Sequence, residues 1–510
     1  MLTTRGYGRL VEPLTGRTLE GSEVVTRSSA RAAEFARYDL KPRDRVFLHA
    51  GNTIDFFVDL LATWHVGASA IPVDNRLADS EIATLAAAAR PKLSIWREGP
   101  TEGTRRALEH LDVAVIDAGS EPPSSVVRAI QPFGSFSLDD DALILFTSGT
   151  TGNPKGVVHT HRSLRARWMS LRTSLGLAPF KRTLCLLPTH FGHGLICNCL
   201  FPWLFGLDLY VLPPFRADML ANLGEVIDHH DITFLSSVPS VWRLALKIAR
   251  PPEKRTLARV FCGSAPLSAP LWRSIQGWSG VPVSNAYGIT ETASWLAGTT
   301  APDTDPHDGL VGEAWGGSLA ILPVQETMPP PDFSAACKAN ERGFVWVNTP
   351  ALMKGYLGRE DFTSQVVCTG WFSTGDTGVV DECGRLHLLG RVREEINKSG
   401  QKIYPTDIDN VIEQFDQTID VCTFAVPDPL HGEDVGVAVV LETSSDDVLA
   451  RLHEWTSGRL GSHQLPKRWY VVTTIPRTSR GKVNRREVAE FCDGLPPVQL
   501  SKPGRRPMSK

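Results

Sequence analysis

A continuously apolar run followed at once by a glycine- and hydroxyl-rich loop most constrains the fold of this chain. The run covers 142–146 (Ala-Leu-Ile-Leu-Phe), and the loop over 147–156 reads Thr-Ser-Gly-Thr-Thr-Gly-Asn-Pro-Lys-Gly. Such a run predicts a buried strand, and the loop predicts a turn at the carboxyl end of that strand. Ligands of α/β sheets bind at this end of the strands. The segment therefore predicts an α/β fold with a ligand site beginning at Thr147.

The loop has the composition of a phosphate-binding loop. Its glycines allow close approach with inward-pointing N–H groups, its hydroxyls add donors, and Lys155 adds a positive charge. It is not a Walker loop, because that motif places Ser or Thr after its lysine and here Gly156 follows. A flexible linker is the alternative, which the defined positions of Pro154 and Lys155 disfavour. The residues predicted to hold a polyphosphate are Thr147, Ser148, Gly149, Thr150, Thr151, Gly152 and Lys155.

Length and composition indicate a globular protein of two or more domains. A chain of 510 residues is too long for one compact core. Its 53 basic and 56 acidic residues leave a net charge of −3, which indicates no general surface for nucleic acid. The nine cysteines are scattered without a Cys-x-x-Cys pair, so we expect neither a zinc site nor a disulfide framework, and a reducing cytoplasmic location. No run has the length of a signal-peptide core or a membrane span.

Short apolar runs alternate with segments of helical periodicity. The run 45–49 precedes a helical pattern at 54–61, and similar runs lie at 183–187, 209–212, 233–235 and 259–261. This alternation predicts an α/β fold of layered, mostly parallel sheets with helices. The proline-rich, basic tail over 496–510 is predicted to be disordered.

Three later segments carry residue types that suit nucleotide chemistry. In 285–291 (Asn-Ala-Tyr-Gly-Ile-Thr-Glu), a ring that can cover a purine lies near a carboxylate that can hold Mg²⁺. A solvated helix start at Glu291 is an equally good interpretation of that segment alone. Asp376 follows a glycine-containing turn, and Arg391 and Lys482 lie in later segments. Taken separately, Asp376 with Arg391 could form a surface ion pair, and Lys482 could be an exposed turn residue.

In this order, the motifs resemble those of the adenylate-forming superfamily of acyl-CoA synthetases, luciferases and nonribosomal adenylation domains. The resemblance spans 46–486. It implies a large N-terminal domain over 1–390 and a small, mobile α+β C-terminal domain over 391–495. The implied reaction has two steps: a carboxylic acid and ATP form an acyl-adenylate and pyrophosphate, and the thiol of coenzyme A then displaces AMP.

The resemblance also implies a role for each motif residue. Lys482 would bridge the attacking carboxylate and the α-phosphate, Thr290 would contact that phosphate, and Glu291 would bind Mg²⁺. Asp376 would accept both ribose hydroxyls, and Arg391 would donate to the same ribose. The residues implied around the adenine are Gly263, Ser264, Ala265, Asn285, Ala286, Tyr287 and Gly288.

The hinge between the implied domains would follow Arg391. The swivel position is Arg393, where relatives often carry Asp or Lys, and this departure puts the efficiency of the second step in question. Ser399, Gly400 and Lys402 would swing in beside the pantetheine of CoA. A purely structural turn at 399–402 is an equally good interpretation.

The segment 188–194 matches the family segment that lines the acyl pocket, and its candidate residues are His190, Phe191, Gly192 and His193. Adenylation domains for α-amino acids carry an aspartate after the aromatic residue to pair with the substrate ammonium, whereas this chain has Gly192. Because an unpaired buried ammonium is costly, we expect a substrate other than an α-amino acid. Trp242 and Trp295 are placed near the pocket by motif position, with core packing as the favoured alternative. Aryl, aliphatic and polycyclic acids all remain open.

Three functions remain open at this stage. CoA is the first choice of acceptor and a free acyl carrier protein the second. The segment Gly316-Gly317-Ser318 faintly resembles a phosphopantetheine site but is interpreted as structural. An inactive regulatory relative is the third alternative, which the joint presence of the motif residues disfavours: Lys155, Glu291, Asp376, Arg391 and Lys482.

Overall fold

The computed structural model describes residues 6–119, 137–147, 154–214, 216–302, 304–323, 333–391, 394–399, 401–478 and 481–498. In chain order its strands are β1 (Leu10–Val11), β2 (Thr18–Leu19), β3 (Arg45–His49), β4 (Ser69–Pro72), β5 (Leu93–Trp96), β6 (Ala114–Asp117), β7 (Asp141–Thr147), β8 (Lys155–Thr160), β9 (Arg182–Cys185), β10 (Asp208–Val211), β11 (Phe234–Ser237), β12 (Arg259–Gly263), β13 (Val283–Ile289), β14 (Ser294–Gly298), β15 (Leu310–Ala314), β16 (Ser318–Leu322), β17 (Gly343–Asn348), β18 (Gly355–Tyr356), β19 (Val367–Cys368), β20 (Trp371–Val380), β21 (Leu386–Arg391), β22 (Ile396–Lys398), β23 (Gln401–Ile403), β24 (Thr418–Asp428), β25 (Gly432–Leu441) and β26 (Arg468–Val471).

The α-helices in the same ranges are α1 (Gly21–Phe35), α2 (Ile54–His65), α3 (Asp79–Ala89), α4 (Glu102–His110), α5 (His161–Leu175), α6 (Phe201–Trp203), α7 (Ala217–Ala221), α8 (Leu223–His229), α9 (Pro239–Ile248), α10 (Ala269–Ser279), α11 (Glu360–Val366), α12 (Pro405–Glu413), α13 (Asp446–Ser457) and α14 (Arg485–Asp493). Single turns of 3₁₀ helix lie at Ala36–Tyr38, Ala178–Phe180, Thr290–Thr292 and Phe333–Ala335, and a π-helical segment at His193–Leu200 leads into α6. No helix among the described residues is long and apolar enough to cross a membrane.

One sheet carries the predicted phosphate loop. Its strand order is β18-β8-β7-β4-β3-β5-β6, with β3 to β7 parallel and with β8 antiparallel to β7. The apolar run at 142–146 forms most of β7, as predicted. Thr147 and Lys155 are partners across β7 and β8, so the loop closes a hairpin. Residues 148–153 lie outside the described residues.

A second, larger sheet changes character along its strand order. From β1 through β10, β9, β11 and β12 to β13 its strands are parallel, and from β13 through β14, β15, β21, β20 and β17 to β16 they are antiparallel. The parallel part follows the alternation of strands and helices in the sequence, and the layered α/β prediction is confirmed. The antiparallel continuation was not identified from the alternation, because its strands follow one another without intervening helices of full length.

Helix α2 lies between the two sheets, which explains why its residues from Ile54 to Thr63 are all buried. Its N-terminus is capped by Thr53, whose side-chain oxygen accepts from the backbone N–H of Phe56. Phe57 packs on Trp203 of α6, with ring centroids 5.3 Å apart. Burial of apolar side chains on both sides of α2 therefore joins the two sheets into one large unit.

A third sheet forms the C-terminal unit, which we define as residues 394–498. Its strand order is β23-β22-β25-β24, with β26 parallel to β25, and α12 to α14 complete its core. The larger sheet ends at Arg391 and this sheet begins at Ile396, while the predicted hinge residue Arg393 lies outside the described residues. Val498 donates its N–H to the Trp469 carbonyl oxygen at 2.7 Å. The predicted disorder of the tail is therefore wrong at Val498, which is bound to β26. Residues 499–510 are not described.

Candidate active site

Asp376, Tyr287 and Arg391 form a hydrogen-bonded cluster on interior strands of the larger sheet. Asp376 and Arg391 are direct partners across β20 and β21. The Tyr287 hydroxyl donates to Asp376 Oδ2, and Arg391 Nε donates to Oδ1 at 3.0 Å. Burial, together with the Asp376 charge, raises the pKa of Tyr287 well above its usual value, so the phenol keeps its proton. A carboxylate has about four lone-pair sites, so Asp376 can still accept further hydrogen bonds from a diol.

The predicted adenine segments lie beside this cluster because β12 and β13 are adjacent. Gly263 and Ala286 are partners, and a Cβ atom at Gly263 would lie 2.1 Å from the Ala286 carbonyl oxygen. A Cβ atom at Gly288 would likewise lie 2.2 Å from the Ser294 carbonyl oxygen. Both glycines are therefore required by strand packing, whatever they do for a ligand. Asn285 is tied into the sheet, since its amide nitrogen donates to the Leu310 carbonyl oxygen at 2.6 Å.

Glu291 is held in place by a tyrosine that the sequence analysis did not single out. The Tyr356 hydroxyl donates to Glu291 Oε1 at 2.8 Å. The Glu291 carbonyl oxygen accepts from the Met353 N–H at 2.7 Å. Glu291 is thus bound within a short 3₁₀ turn and does not begin a solvated helix. Tyr356 is far from Glu291 in the sequence, and only the pairing of β18 with β8 brings it to this site.

Thr290 and Lys155 flank Glu291. The Thr290 carbonyl oxygen lies 2.8 Å from His159 Nε2, and burial lowers the pKa of His159 to about 4, so a neutral imidazole donates here. The Lys155 ammonium lies 5.7 Å from the centre of the Tyr356 ring. Tyr356 therefore connects the predicted phosphate-loop lysine to the predicted Mg²⁺ ligand. The other predicted loop residues from Ser148 to Gly152 lie outside the described residues.

The segment 188–194, which the sequence predicts to line the acyl pocket, lies beside β12, and we call it the acyl wall. His193 lies between two serine hydroxyls, with Nδ1 2.9 Å from Ser264 Oγ and Nε2 2.7 Å from Ser236 Oγ. Ser264 adopts a φ of +67°, which is uncommon for a residue other than glycine, and this conformation accompanies its hydroxyl contact with His193. Burial, and then the charge of Lys482, lower the pKa of His193 to about 3, so its imidazole is neutral. The Trp295 ring packs on His193 with centroids 5.2 Å apart.

Gly192, His190 and Trp242 are the other residues that the sequence places near the acyl pocket. A Cβ atom at Gly192 would lie 3.3 Å from Leu145 Cδ1 and within 4 Å of Ile196 Cδ1 and Ser294 Cβ, so its nearest neighbours are carbons. His190 Nε2 lies 3.5 Å from Asp74 Oδ2. Trp242 packs on Trp278 with ring centroids 5.7 Å apart and is 1% exposed, which agrees with the favoured alternative of core packing.

Lys482 joins the C-terminal unit to the acyl wall. Its ammonium lies 5.5 Å from the centre of the buried Phe191 ring, and its charge acts on His193. Its backbone belongs to a tight turn in which the Thr478 N–H donates to the Lys482 carbonyl oxygen at 2.8 Å. The exposed-turn interpretation is therefore wrong for Lys482, because the side chain contacts the large unit.

The predicted pantetheine residues lie elsewhere in the C-terminal unit. Ser399 and Lys402 flank the turn between β22 and β23, and Gly400 lies outside the described residues. Ser399 Oγ lies 2.8 Å from His431 Nδ1. A Cβ atom at Gly317 would lie 2.4 Å from the Asn348 carbonyl oxygen, which explains that glycine as a packing requirement.

These contacts connect the site from end to end. The charge of Lys482 acts on His193, His193 contacts Ser264, and Ser264 directly follows β12, which pairs with β13, the strand of Tyr287. A positive charge, a neutral imidazole and a carboxylate suited to a diol thereby lie around the paired strands β12 and β13 of the larger sheet. Such an arrangement can hold a nucleotide with its phosphates near an acyl group.

Comparisons with known proteins agree with this geometry. The model of the AMP-binding enzyme family matches residues 8–357, and the model of the AMP-binding enzyme C-terminal domain matches residues 407–482. The chain belongs to the AMP-binding enzyme family. The predicted resemblance and the predicted class of enzyme, an AMP-forming acid–thiol ligase, are confirmed.

Known relatives in this family match the chain over nearly its whole length. An oxalate–CoA ligase of Arabidopsis thaliana is 28% identical over 92% of this chain and 92% of its own. A 4-chlorobenzoate–CoA ligase of an Arthrobacter species is 27% identical over 95% of this chain and 92% of its own. The crystal structure of ATP-bound MatB from Rhodopseudomonas palustris has a TM-score of 0.83 and 24% identity, covering 97% of each chain, and confirms the fold.

Proposed function

We propose that this enzyme is an ATP-dependent carboxylic acid:CoA ligase that works through an acyl-adenylate. The observation that carries the proposal is the position of the Lys482 ammonium 5.5 Å from the Phe191 ring centre. This lysine comes from the C-terminal unit, whereas Phe191 belongs to the acyl wall of the large unit. The contact supports a site in which one unit supplies the charge and the other holds the acid and nucleotide.

In the first step, a carboxylate oxygen attacks the α-phosphorus of ATP, and the bond to the pyrophosphate oxygen breaks. Two anions approach each other, and negative charge accumulates on the phosphoryl oxygens and on the departing pyrophosphate. Lys482 would neutralise the charge at the junction of carboxylate and phosphate, and Lys155 would neutralise the charge of the phosphates. Charges positioned in advance lower the barrier because they need no reorganisation during the reaction.

The residues around Glu291 fit a Mg²⁺ ion. The ion prefers hard oxygen ligands and is usually held by one or two carboxylates together with substrate phosphates. The Tyr356 hydroxyl donates to Oε1, and Glu291 would present Oε2 to the cation. When bound, Mg²⁺ would neutralise part of the polyphosphate charge. Glu291 would hold it, and Tyr356 would orient that carboxylate.

The ribose and adenine would be held by the cluster on the larger sheet. Asp376 would accept from the ribose hydroxyls while Arg391 and the Tyr287 hydroxyl keep it oriented. Because Tyr287 remains protonated, its ring and hydroxyl add no negative charge next to the nucleotide.

In the second step, the thiolate of CoA attacks the acyl carbon, and AMP leaves with its phosphate oxygen. We propose that the C-terminal unit rotates about residues 391–396 between the steps, which would move Lys482 away and bring Ser399 and Lys402 to the pantetheine. CoA is the acceptor favoured by the CoA-ligase names of the relatives. A free acyl carrier protein has no support among them.

The acid is proposed to lack an α-ammonium group. The three atoms nearest to a Cβ atom at Gly192 are side-chain carbons, and the residue after Phe191 is a glycine, which has no carboxylate to pair with a cation. The relatives act on acids as different as oxalate and 4-chlorobenzoate, so a panel of aliphatic, aromatic and dicarboxylic acids is required. The test is acid-dependent exchange of pyrophosphate into ATP, followed by detection of acyl-CoA and AMP when CoA is added. Failure of every acid to support exchange would refute the proposal.

A further inference from the structure

Helix α9 of the large unit contacts the C-terminal unit at two points. Ser240 Oγ donates to the Gly481 carbonyl oxygen at 3.1 Å, directly before Lys482. Arg243 Nη2 lies 2.5 Å from Glu413 Oε1 at the end of α12. Ser240 and Arg243 are three residues apart, so they lie on one face of α9. This docking face consists of Ser240 and Arg243.

The Gly481 carbonyl oxygen is also held from within the C-terminal unit. Arg477 Nη2 donates to both carboxylate oxygens of Asp420, at 2.7 and 2.8 Å, and Arg477 Nη1 donates to the Gly481 carbonyl oxygen at 3.2 Å. That oxygen therefore accepts one hydrogen bond from each unit. Because Gly481 is covalently joined to Lys482, the hydrogen bond from α9 to Gly481 also restricts the position of the Lys482 backbone.

The charges at the contact balance when the two units are together. Arg243 and Glu413 have side chains that are 25% and 20% exposed, and Asp420 and Arg477 are the next charged pair. Burial raises the pKa of Glu413, although Arg243 opposes this, so a Glu413 deprived of its arginine is unfavourable as a charged group. Removing one partner of a largely buried pair costs more than the pair contributes, because the other charge is left desolvated.

We propose that Ser240 and Arg243 are positioning residues that dock the Lys482 turn for adenylation only. The proposal rests on the proposed two-step function, in which Lys482 must leave its place before the thioester forms. In that step the pair between Arg243 and Glu413 would be broken and both groups would face water. Loss of the pair should therefore slow adenylation and spare the thioester step.

The test compares the two half-reactions in Arg243→Glu, Glu413→Arg and the double charge swap. Each single variant places like charges together, and we expect roughly a tenfold or greater fall in acid-dependent pyrophosphate exchange. Conversion of supplied acyl-adenylate and CoA to acyl-CoA should be unchanged. The double variant should recover most of the exchange. Ser240→Ala should lower exchange by a smaller factor, because it removes one neutral hydrogen bond.

A matched control uses an ion pair inside the C-terminal unit. Arg451 and Asp416 lie 2.7 Å apart and are exposed, so Arg451→Glu should alter neither half-reaction. Equal loss of both half-reactions in the Arg243 variant, unchanged exchange, or no recovery in the double variant would overturn the proposal.

Small-angle X-ray scattering follows the docking without catalysis. We expect a larger radius of gyration for Arg243→Glu than for the wild type, and a return to the wild-type value in the double variant. If no acid supports exchange but scattering responds in this way, the docking contact stands and the proposed reaction fails. If scattering is the same for all variants, the docking proposal fails whatever the activity.

Discussion

Lys482 and Phe191 meet across the junction of the two units, with the ammonium 5.5 Å from the ring centre. The same lysine acts on the neutral imidazole of His193, which two serine hydroxyls hold. His193 thus contributes a polar but uncharged side chain to the acyl wall, and Lys482 of the C-terminal unit contributes a positive charge beside it. Movement of that unit would remove this charge.

The first prediction separates the two half-reactions with Lys482→Ala. In the proposed function Lys482 neutralises charge only while the acid attacks ATP, so exchange of pyrophosphate should fall by about 10²–10³ in this variant. Conversion of a supplied acyl-adenylate to thioester should continue at the wild-type rate. Normal exchange in this variant would refute the role of Lys482.

A bulky residue in place of Gly400 should have the reverse effect, because it would block the approach of the pantetheine. Pyrophosphate exchange should be unchanged, and thioester formation should be lost.

The second prediction concerns Asp376→Asn. An amide orients poorly toward a diol and loses the charge that strengthens such hydrogen bonds, so the KM for ATP should rise roughly tenfold to a hundredfold. Initial rates at saturating acid and varied ATP provide the measurement. The matched control is Asp381→Asn, just beyond the end of β20, whose carboxylate is bound by Arg385 and His387. An equal rise in both variants would count against nucleotide binding by Asp376.

The third prediction tests the orientation of Glu291 by Tyr356→Phe. The change removes one hydroxyl and leaves the ring beside Lys155 in place. Since a single hydrogen bond is worth about 0.5–1.5 kcal/mol, the Mg²⁺ concentration that gives half-maximal exchange should rise by up to about tenfold. Glu291→Gln should raise it further. An unchanged Mg²⁺ dependence in both variants would exclude Glu291 as the ligand.

The fourth prediction is discrimination against α-amino acids. Matched pairs isolate the ammonium group: 3-phenylpropanoate with phenylalanine, and propanoate with alanine. An ammonium beside Leu145 and Ile196 would lose hydration without gaining an anionic partner, so exchange should favour the acid without the amine in each pair that is accepted. Efficient exchange with any proteinogenic amino acid would contradict this prediction.

The fifth prediction is a loss of folding stability in mild acid. Burial lowers the pKa of His49 to about 3, below the value of 6.5 for an unfolded chain. Between these values the unfolded chain binds a proton that the folded protein does not, so the free energy of unfolding falls as the pH falls. The slope is about 1.4 kcal/mol per pH unit for one such group.

His49→Phe provides the measurement for this pH dependence. The phenyl ring keeps the stacking on Trp96, whose centroid lies 3.6 Å from that of His49, but cannot bind a proton. Urea unfolding between pH 6.5 and 5 should show a shallower loss of stability in the variant. The exposed His110→Gln should keep the wild-type slope. An identical slope in His49→Phe would show that His49 does not contribute.

Local sequence determined the elements that each site residue occupies. The apolar run at 142–146 and the hydroxyl-rich loop after it predicted β7 and a turn without any tertiary information, because a buried strand requires consecutive apolar side chains. The ordered motifs likewise predicted the family, and with it Asp376, Glu291 and Lys482. The favoured core role of Trp242 also agrees with its burial.

The tertiary structure decided which of these residues meet. Tyr356 reaches Glu291 only because β18 pairs with β8, and Arg243 reaches Glu413 only because α9 docks on the C-terminal unit. Neither contact has a local signal, since each joins residues far apart in the chain whose types are common on any surface. Sequence patterns report burial and backbone preference along the chain, whereas hydrogen bonds and ion pairs between distant segments depend on how the sheets pack.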